Sequence, residues 1–175
     1  MSSPRLTETS YIVLGLLDRI EPATPYDLKQ LAQVSTVNFW TVPHTQIYTE
    51  CGRLAEAGLL SEQREESGRR RRIYRLTDEG REALARWRGD ASGGLYELRD
   101  VATLKLFFGA DPAALAAEQV SAHSRRLAEY ETLLGGLEEA PEGWRLALAL
   151  GIGHEREFIR FWSSLLAAGE TATEA

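Results

Sequence analysis

One stretch of this chain reads as β-structure, LLSEQREESGRRRRIYRLTDEG at residues 59–80, and its surroundings read as helix. Leu60 to Arg64 and Arg71 to Leu76 have strand-like composition and flank a turn signal at Ser67-Gly68. A lone hairpin is marginal in water, so this one must pack against helices. That limits the chain to a mainly α fold with one small β hairpin. Four consecutive arginines, Arg69, Arg70, Arg71 and Arg72, occupy the turn and second strand.

Three helical segments precede the hairpin. In SYIVLGLLDRI the apolar positions Ile12, Val13, Leu16, Leu17 and Ile20 follow a core-facing helical spacing, with Ser10 expected as N-cap. EPATPYDLKQLAQVS restarts the chain, Thr24 capping and Pro25 fitting the first turn of a short second helix that turns Leu28 and Leu31 inward. A third helix starts near Pro43 and ends at Gly58, with Ile47, Cys51 and Leu54 as its buried stripe. After the hairpin, TDEGREALARWR opens a fourth helix with Thr77 as N-cap and Asp78 and Glu79 at its positive end. Three helices followed by a hairpin is the order of a winged helix-turn-helix.

Beyond this point the composition changes. GDASGGLYEL, with three glycines between Gly89 and Gly94, reads as a linker and divides the chain into residues 1–90 and 91–175. The second part reads as entirely helical. It contains LRDVATLKLFFGAD, then a long helix with Asp111 as cap and Pro112 at its first position, then a segment from Gly143 to Ala168. The long helix places Ala116, Val120, His123, Leu127, Tyr130, Leu134 and Leu137 at alternating steps of four and three, a heptad seam. The last segment carries an aromatic stripe of Trp144, Phe158, Phe161 and Trp162. Leu104, Phe107, Phe108, Val120, Leu127, Tyr130, Leu134, Phe158, Phe161 and Trp162 are the candidates for a dimer interface.

Charge follows the same division. The whole chain carries a net charge of -6, but residues 1–88 hold 13 basic against 12 acidic residues, a net of +1, and residues 89–175 hold 7 against 14, a net of -7. An acidic second half repels phosphates, so nucleic-acid contact should be confined to the first. With 43% hydrophobic residues the 175-residue chain can bury a real core. No apolar run approaches the ~18 residues of a spanning helix, no leader cleavage site follows the first apolar stretch, and a single cysteine excludes an internal disulfide framework. The cytoplasm is the expected compartment.

Two elements carry the candidate chemistry. With Ile47 toward the core, a 100° advance per residue turns Thr45 and Thr49 outward on the third helix, with Gln46 and Tyr48 on its flanks and Arg53 further along. Hydroxyls and a carboxamide suit base edges and phosphates. Strand alternation then sends part of the Arg69 to Arg72 run to one face, where it can neutralise phosphates along a duplex.

The segments FWTVPHTQIYTECGRLAEAGLL, ESGRRRRIYRLTDEGREALARW and LKLFFG together resemble the PadR family of bacterial transcriptional regulators, in its members with a long C-terminal helical region. The specific points are Trp40 with Gln46-Ile47-Tyr48, Leu54 with Gly58-Leu59, Gly68-Arg69, and Tyr74-Arg75-Leu76-Thr77 with Gly80. Cys51 departs from the family's larger aliphatic residue, and Pro43 and Thr45 from its small or hydroxyl residues. The resemblance implies a winged helix-turn-helix that binds operator DNA, with the third helix as recognition helix and the hairpin as wing. It also implies a helical part that forms a homodimer, repression as the outcome, and room for a phenolic or drug-like effector.

Other chemistries fit less well. His44 and Cys51 share a helix face but stand roughly 10 Å apart along the axis, too far for one zinc ion, and GHEREF lacks the second histidine of a metalloprotease helix, so His154 with Glu155 reads as a partly exposed pair. No metal or cofactor is expected. Cys51 on the core stripe should behave as a small hydrophobe, with redox sensing left open. No acid, base and nucleophile converge, so an enzyme is not expected. The rival reading is a helical protein-interaction module whose winged domain has lost DNA binding, favoured by the net acidity.

Overall fold

The computed structural model describes residues 5–65, 71–95 and 97–173. The chain divides into two compact units, residues 1–94 and 95–175.

The first unit contains α1 (Glu8–Ile20), α2 (Pro25–Val34), a 3-10 turn (Thr36–Asn38), α3 (His44–Glu56), β1 (Leu60–Arg64), β2 (Arg72–Leu76) and α4 (Asp78–Gly89). The cap of α1 is Thr7 rather than Ser10. Ser10 sits at the third helical position, where its amide donates to the Thr7 hydroxyl and its own hydroxyl oxygen accepts from the Thr7 amide, a reciprocal capping box. Thr24 caps α2 with Asp27 in the same way, with Pro25 at the first position. At its other end α3 stops at Gly58, whose φ of 77° suits a residue without Cβ. Leu59 N then bonds Leu54 O at 2.9 Å and Gly58 N bonds Ala55 O at 3.0 Å, a Schellman closure that turns the chain into β1.

The strands pair antiparallel in the register Leu60↔Leu76, Ser61↔Arg75, Glu62↔Tyr74, Gln63↔Ile73 and Arg64↔Arg72. On its other edge β2 exchanges two backbone hydrogen bonds with Ala23, at 2.9 and 3.2 Å, so the segment between α1 and α2 holds the base of the hairpin. Thr77 caps α4 and also donates its hydroxyl to Gly58 O at 2.8 Å. Val13, Leu14 and Leu17 of α1, Leu28 of α2, Ile47, Cys51 and Leu54 of α3, Tyr74 and Leu76 of β2 and Leu84 of α4 form one core. Around its rim Glu21 binds Arg81 of α4 and accepts from Leu76 N at 2.8 Å, while Asp18 pairs with Arg88 at 2.8 Å. These contacts fasten α1, the wing base and α4 together.

Cys51 is fully buried, and burial, with the nearby Glu50 charge, pushes its thiol up to about 12. The thiolate is the reactive species, so this position is chemically inert in the fold. Native protein at pH 7.5 is expected to resist alkylation at Cys51 over hours and to react within minutes in guanidinium; mass spectrometry of the alkylated protein distinguishes the two. Rapid labelling under native conditions would reopen redox sensing.

The second unit consists of α5 (Val101–Phe107), α6 (Pro112–Gly135) and α7 (Glu142–Thr173). Asp100 caps α5 through the Ala102 and Thr103 amides, and Asp111 caps α6 with Pro112 in its first turn. A short connection folds α6 back on α7. The heptad seam of α6 faces this partner: Ala116 joins Trp162 and Ala102 in a small core, the His123 ring stacks on Phe158 at 4.7 Å, and Tyr130 lies over Gly151. A Cβ at position 151 would stand 3.1 Å from the Tyr130 ring.

Candidate nucleic-acid interface

The reading face of α3 begins at Pro43, which offers no side-chain cap at the positive end of the helix dipole. Thr45, Gln46, Tyr48 and Thr49 are all exposed. Thr45, Gln46 and Thr49 converge on one cleft, together with Thr7, Thr9 and Glu50, and Tyr48 lies outside it. Thr7 and Thr9, at the start of α1, were not legible as site residues because nothing local in LTETS signals that it lies beside a helix some 40 residues on. The Thr49 hydroxyl donates back to Thr45 O at 3.0 Å, which leaves its oxygen to accept and its methyl to contact an apolar edge. Arg53 is differently placed: its half-buried guanidinium is held by Glu50 and Ser10.

In the hairpin, opposed residues share a face. Leu60, Glu62, Arg64, Arg72, Tyr74 and Leu76 form the face that turns to the core at its base, and Ser61, Gln63, Ile73 and Arg75 form the other. Arg71, two residues before Ile73, continues that outer face beyond the last rung. Arg69 and Arg70 lie outside the described residues, as does the Ser67-Gly68 turn. Among the described arginines, then, Arg71 and Arg75 line up outward and Arg72 belongs to the inner face. Arg75 is an addition to the sequence-derived set, and the i, i+2, i+4 alternation from Arg71 was the signal for it.

Glu62 organises the inner face. Its carboxylate accepts from Arg64 at 2.7 Å and from the Tyr74 hydroxyl at 2.9 Å, and stands 3.6 Å from Arg72. Arg71 stands 3.6 Å from Glu65. In both long pairs the arginine is exposed and the contact loose, of the kind that contributes ~0–1 kcal/mol, so either arginine can turn to a phosphate at little cost.

Three glutamates of this unit are held below the ordinary value of 4.5. Hydrogen bonds from Arg53 do this for Glu50, and one from Arg64 for Glu62, each against burial. For Glu21 burial pushes upward, and the bonds from Arg81 and the Leu76 amide outweigh it. A carboxyl lowered in the folded state contributes stability that is present above its unfolded value and is lost as pH falls through its folded value. Unfolding midpoints of the winged unit are therefore expected to fall below pH 4.5, by less in Glu50→Gln than in wild type; urea titrations at pH 7 and pH 4 read this directly.

Of the candidate dimer residues, Leu104, Phe107, Phe108 and Phe161 are exposed, at 55%, 82%, 77% and 40%. Val120, Leu127, Leu134 and Phe158 are half-buried, and Tyr130 and Trp162 are buried within the chain's own helices. The α6 seam meets α7 of the same chain: Tyr130 of α6 lies over Gly151, Trp162 of α7 packs with Ala116 and Ala102, and Leu104, Phe107 and Phe108 stay open. Among the described residues no group of three or more His, Cys, Asp or Glu could hold a metal ion, and no helix is long and apolar enough to cross a membrane.

Three packed helices followed by a hairpin braced on its outer edge define a winged helix-turn-helix. Residues 13–86, within the winged unit, match the model of the transcriptional regulator PadR-like family. The chain is 25% identical over 173 residues to the negative transcriptional regulator PadR of Bacillus subtilis, covering 90% of this chain and 94% of the relative. Its fold is similar to that of Bacillus subtilis PadR in complex with operator DNA, with a TM-score of 0.79, 24% identity, and coverage of 91% of this chain and 97% of that one. The same protein in complex with p-coumaric acid matches with a TM-score of 0.77 and 23% identity over 91% of this chain and 96% of that one.

Proposed function

We propose that this protein is a DNA-binding transcriptional repressor that acts as a homodimer on an inverted-repeat operator. The observation that carries the reading is the pairing, on one family-matched unit, of an exposed Thr45-Gln46-Tyr48-Thr49 face with the outward arginines Arg71 and Arg75. In this reading α3 enters the major groove, where Gln46 suits the paired donor and acceptor of adenine, while the threonine methyls suit thymine. The wing arginines, including Arg69, Arg70 and Arg72, neutralise phosphates and fix the position of α3 without selecting sequence. The acidic second half stays clear of the polyanion. Its exposed Val101, Leu104, Phe107 and Phe108 supply an apolar face for a second copy. Two copies set their reading helices one DNA turn apart, roughly 34–36 Å, and so call for two half-sites of opposite sense.

Because the Bacillus subtilis relative has been captured with p-coumaric acid, a phenolic acid is the first effector to test. An effector acts here by changing the angle between two winged units, which breaks simultaneous docking. Selection of duplexes from a random pool, with and without p-coumaric acid, tests the proposal together with sedimentation of the free protein. The expected result is a dimer that enriches a palindromic site and releases it with the effector. A monomer, or a pool that stays random at low salt, contradicts it. Within the enriched site, Gln46→Ala is expected to relax preference at one base position per half-site by ~1–3 kcal/mol, leaving the other positions unchanged.

A further inference from the structure

Arg53 lies on the reading helix yet points back into its own unit. Its Nε donates to Glu50 Oε2 at 2.9 Å and its Nη2 to Glu50 Oε1 at 2.5 Å, a two-pronged contact. The same Nη2 donates to Ser10 Oγ at 2.9 Å, and Nη1 donates to the Arg5 carbonyl at 3.3 Å. Ser10 closes the ring by donating its hydroxyl to Glu50 Oε1 at 2.5 Å, joining α1 to α3 across 40 residues of sequence. Ser10 is fully buried and Glu50 is 8% exposed.

A guanidinium that binds phosphate presents its fork to solvent. This fork is filled by a carboxylate, and withdrawing it would leave Glu50 buried without its counter-charge, which a low-dielectric site penalises steeply. Burial of Ile47, Cys51 and Leu54 sets the rotation of α3 only coarsely, through an apolar stripe rather than directed bonds. Hydrogen bonds are directional. Glu50 adjoins Thr49 in sequence and lines the same cleft as Thr45 and Gln46, so fixing Glu50 fixes the side chains that face the bases. A reading surface tolerates misplacement of only about 0.5 Å or 10–20°.

We propose that Ser10, Glu50 and Arg53 form a polar pin, buried at Ser10 and Glu50 and closed by the part-exposed Arg53, that fixes the rotation of α3 on α1, making Arg53 and Glu50 positioning residues for base reading rather than DNA contacts. The inference rests on the DNA-binding reading above. Its test uses the full chain with Arg53→Ala, Arg53→Lys and Ser10→Ala, measuring affinity for the duplex enriched by wild type and for a random duplex across a salt series. The pin predicts that Arg53→Ala lowers the ratio of the two affinities at least tenfold with the salt slope unchanged. Ser10→Ala lowers the ratio less, and Arg53→Lys, with a point charge in place of a fork, does not restore it. Equal weakening of both duplexes with a slope shallower by about 0.9 per protomer would instead mark Arg53 as a phosphate contact and overturn the pin. An unchanged ratio also overturns it, and Ser10→Ala, the milder change, carries the comparison if Arg53→Ala does not fold. Should wild type bind neither duplex, the DNA reading fails on its own, and amide exchange of the free protein decides the pin: faster exchange at residues 44–50 in the alanine variants, with α6 unchanged, supports it, and equal rates remove it.

Discussion

Replacing Arg71 and Arg75 together by alanine is expected to lower duplex affinity by about three orders of magnitude at 0.1 M salt and hardly at all at 1 M. The size follows from counterion release: each phosphate contact adds about 0.9 to the slope of log affinity against log salt, and four arginines in a dimer add about 3.6. The loss should be the same for the enriched and the random duplex, since these side chains position the protein and read no base. Arg72 offers an internal comparison. It shares the inner face with Glu62, so Arg72→Ala should cost less than either outward arginine, and should in addition loosen the Glu62 cluster. Equilibrium binding by fluorescence anisotropy over a salt series measures both slope and intercept. An unchanged slope would remove these arginines from the interface.

The second large effect concerns stability. A Cβ at Gly80 would stand 2.1 Å from the Leu59 carbonyl oxygen, a backbone atom that cannot move aside alone. Leu59 O also accepts from Thr77 N, Thr77 caps α4 through Gly80 N, and the Thr77 hydroxyl binds Gly58 O. Displacing the carbonyl therefore strains the end of α3, the entry to β1 and the start of α4 at once. In an ordinary helix Gly→Ala stabilises by up to ~1 kcal/mol. Here the overlap reverses the sign, and Gly80→Ala is expected to cost about 3 kcal/mol, lowering the midpoint of the winged unit by on the order of 15 °C. Gly52→Ala, where a Cβ meets nothing within 4 Å, should follow the ordinary rule and stabilise α3. Calorimetry on the two variants settles the contrast, and similar midpoints would contradict the close approach.

The parts of the fold that could be read from the sequence were those set by neighbours in the chain. Thr24 with Pro25, Thr77 with its acidic first turn, Asp111 with Pro112, and Gly58 after α3 each combine a special residue with a local backbone requirement, and all stand where the pattern puts them. Thr7 and Ser10 show where this stops. Both can cap, and the choice between them depends on Glu50 and Arg53, which draw Ser10 into the unit from some 40 residues away. The partners of Arg53 were hidden for the same reason, because helical periodicity gives the direction of a side chain but not its partner. The α6 seam illustrates a second limit. A heptad pattern asks for an apolar helix alongside and does not say which chain supplies it; α7 covers Tyr130 and sets its own Trp162 against Ala116, while Phe107 and Phe108 keep exposed rings. In the hairpin, composition identified the strands, and the face shared by Arg71 and Arg75 needed the register as well.

The most direct measurement is the affinity of the purified protein for its enriched duplex between 50 and 400 mM salt, with the number of protomers bound determined in the same titration. A winged dimer that grips phosphates should give two protomers per duplex and a straight line of log affinity against log salt steeper than about -4. A flat line, or no association even at 50 mM, would contradict the assignment of the wing and α3 as a DNA-binding surface.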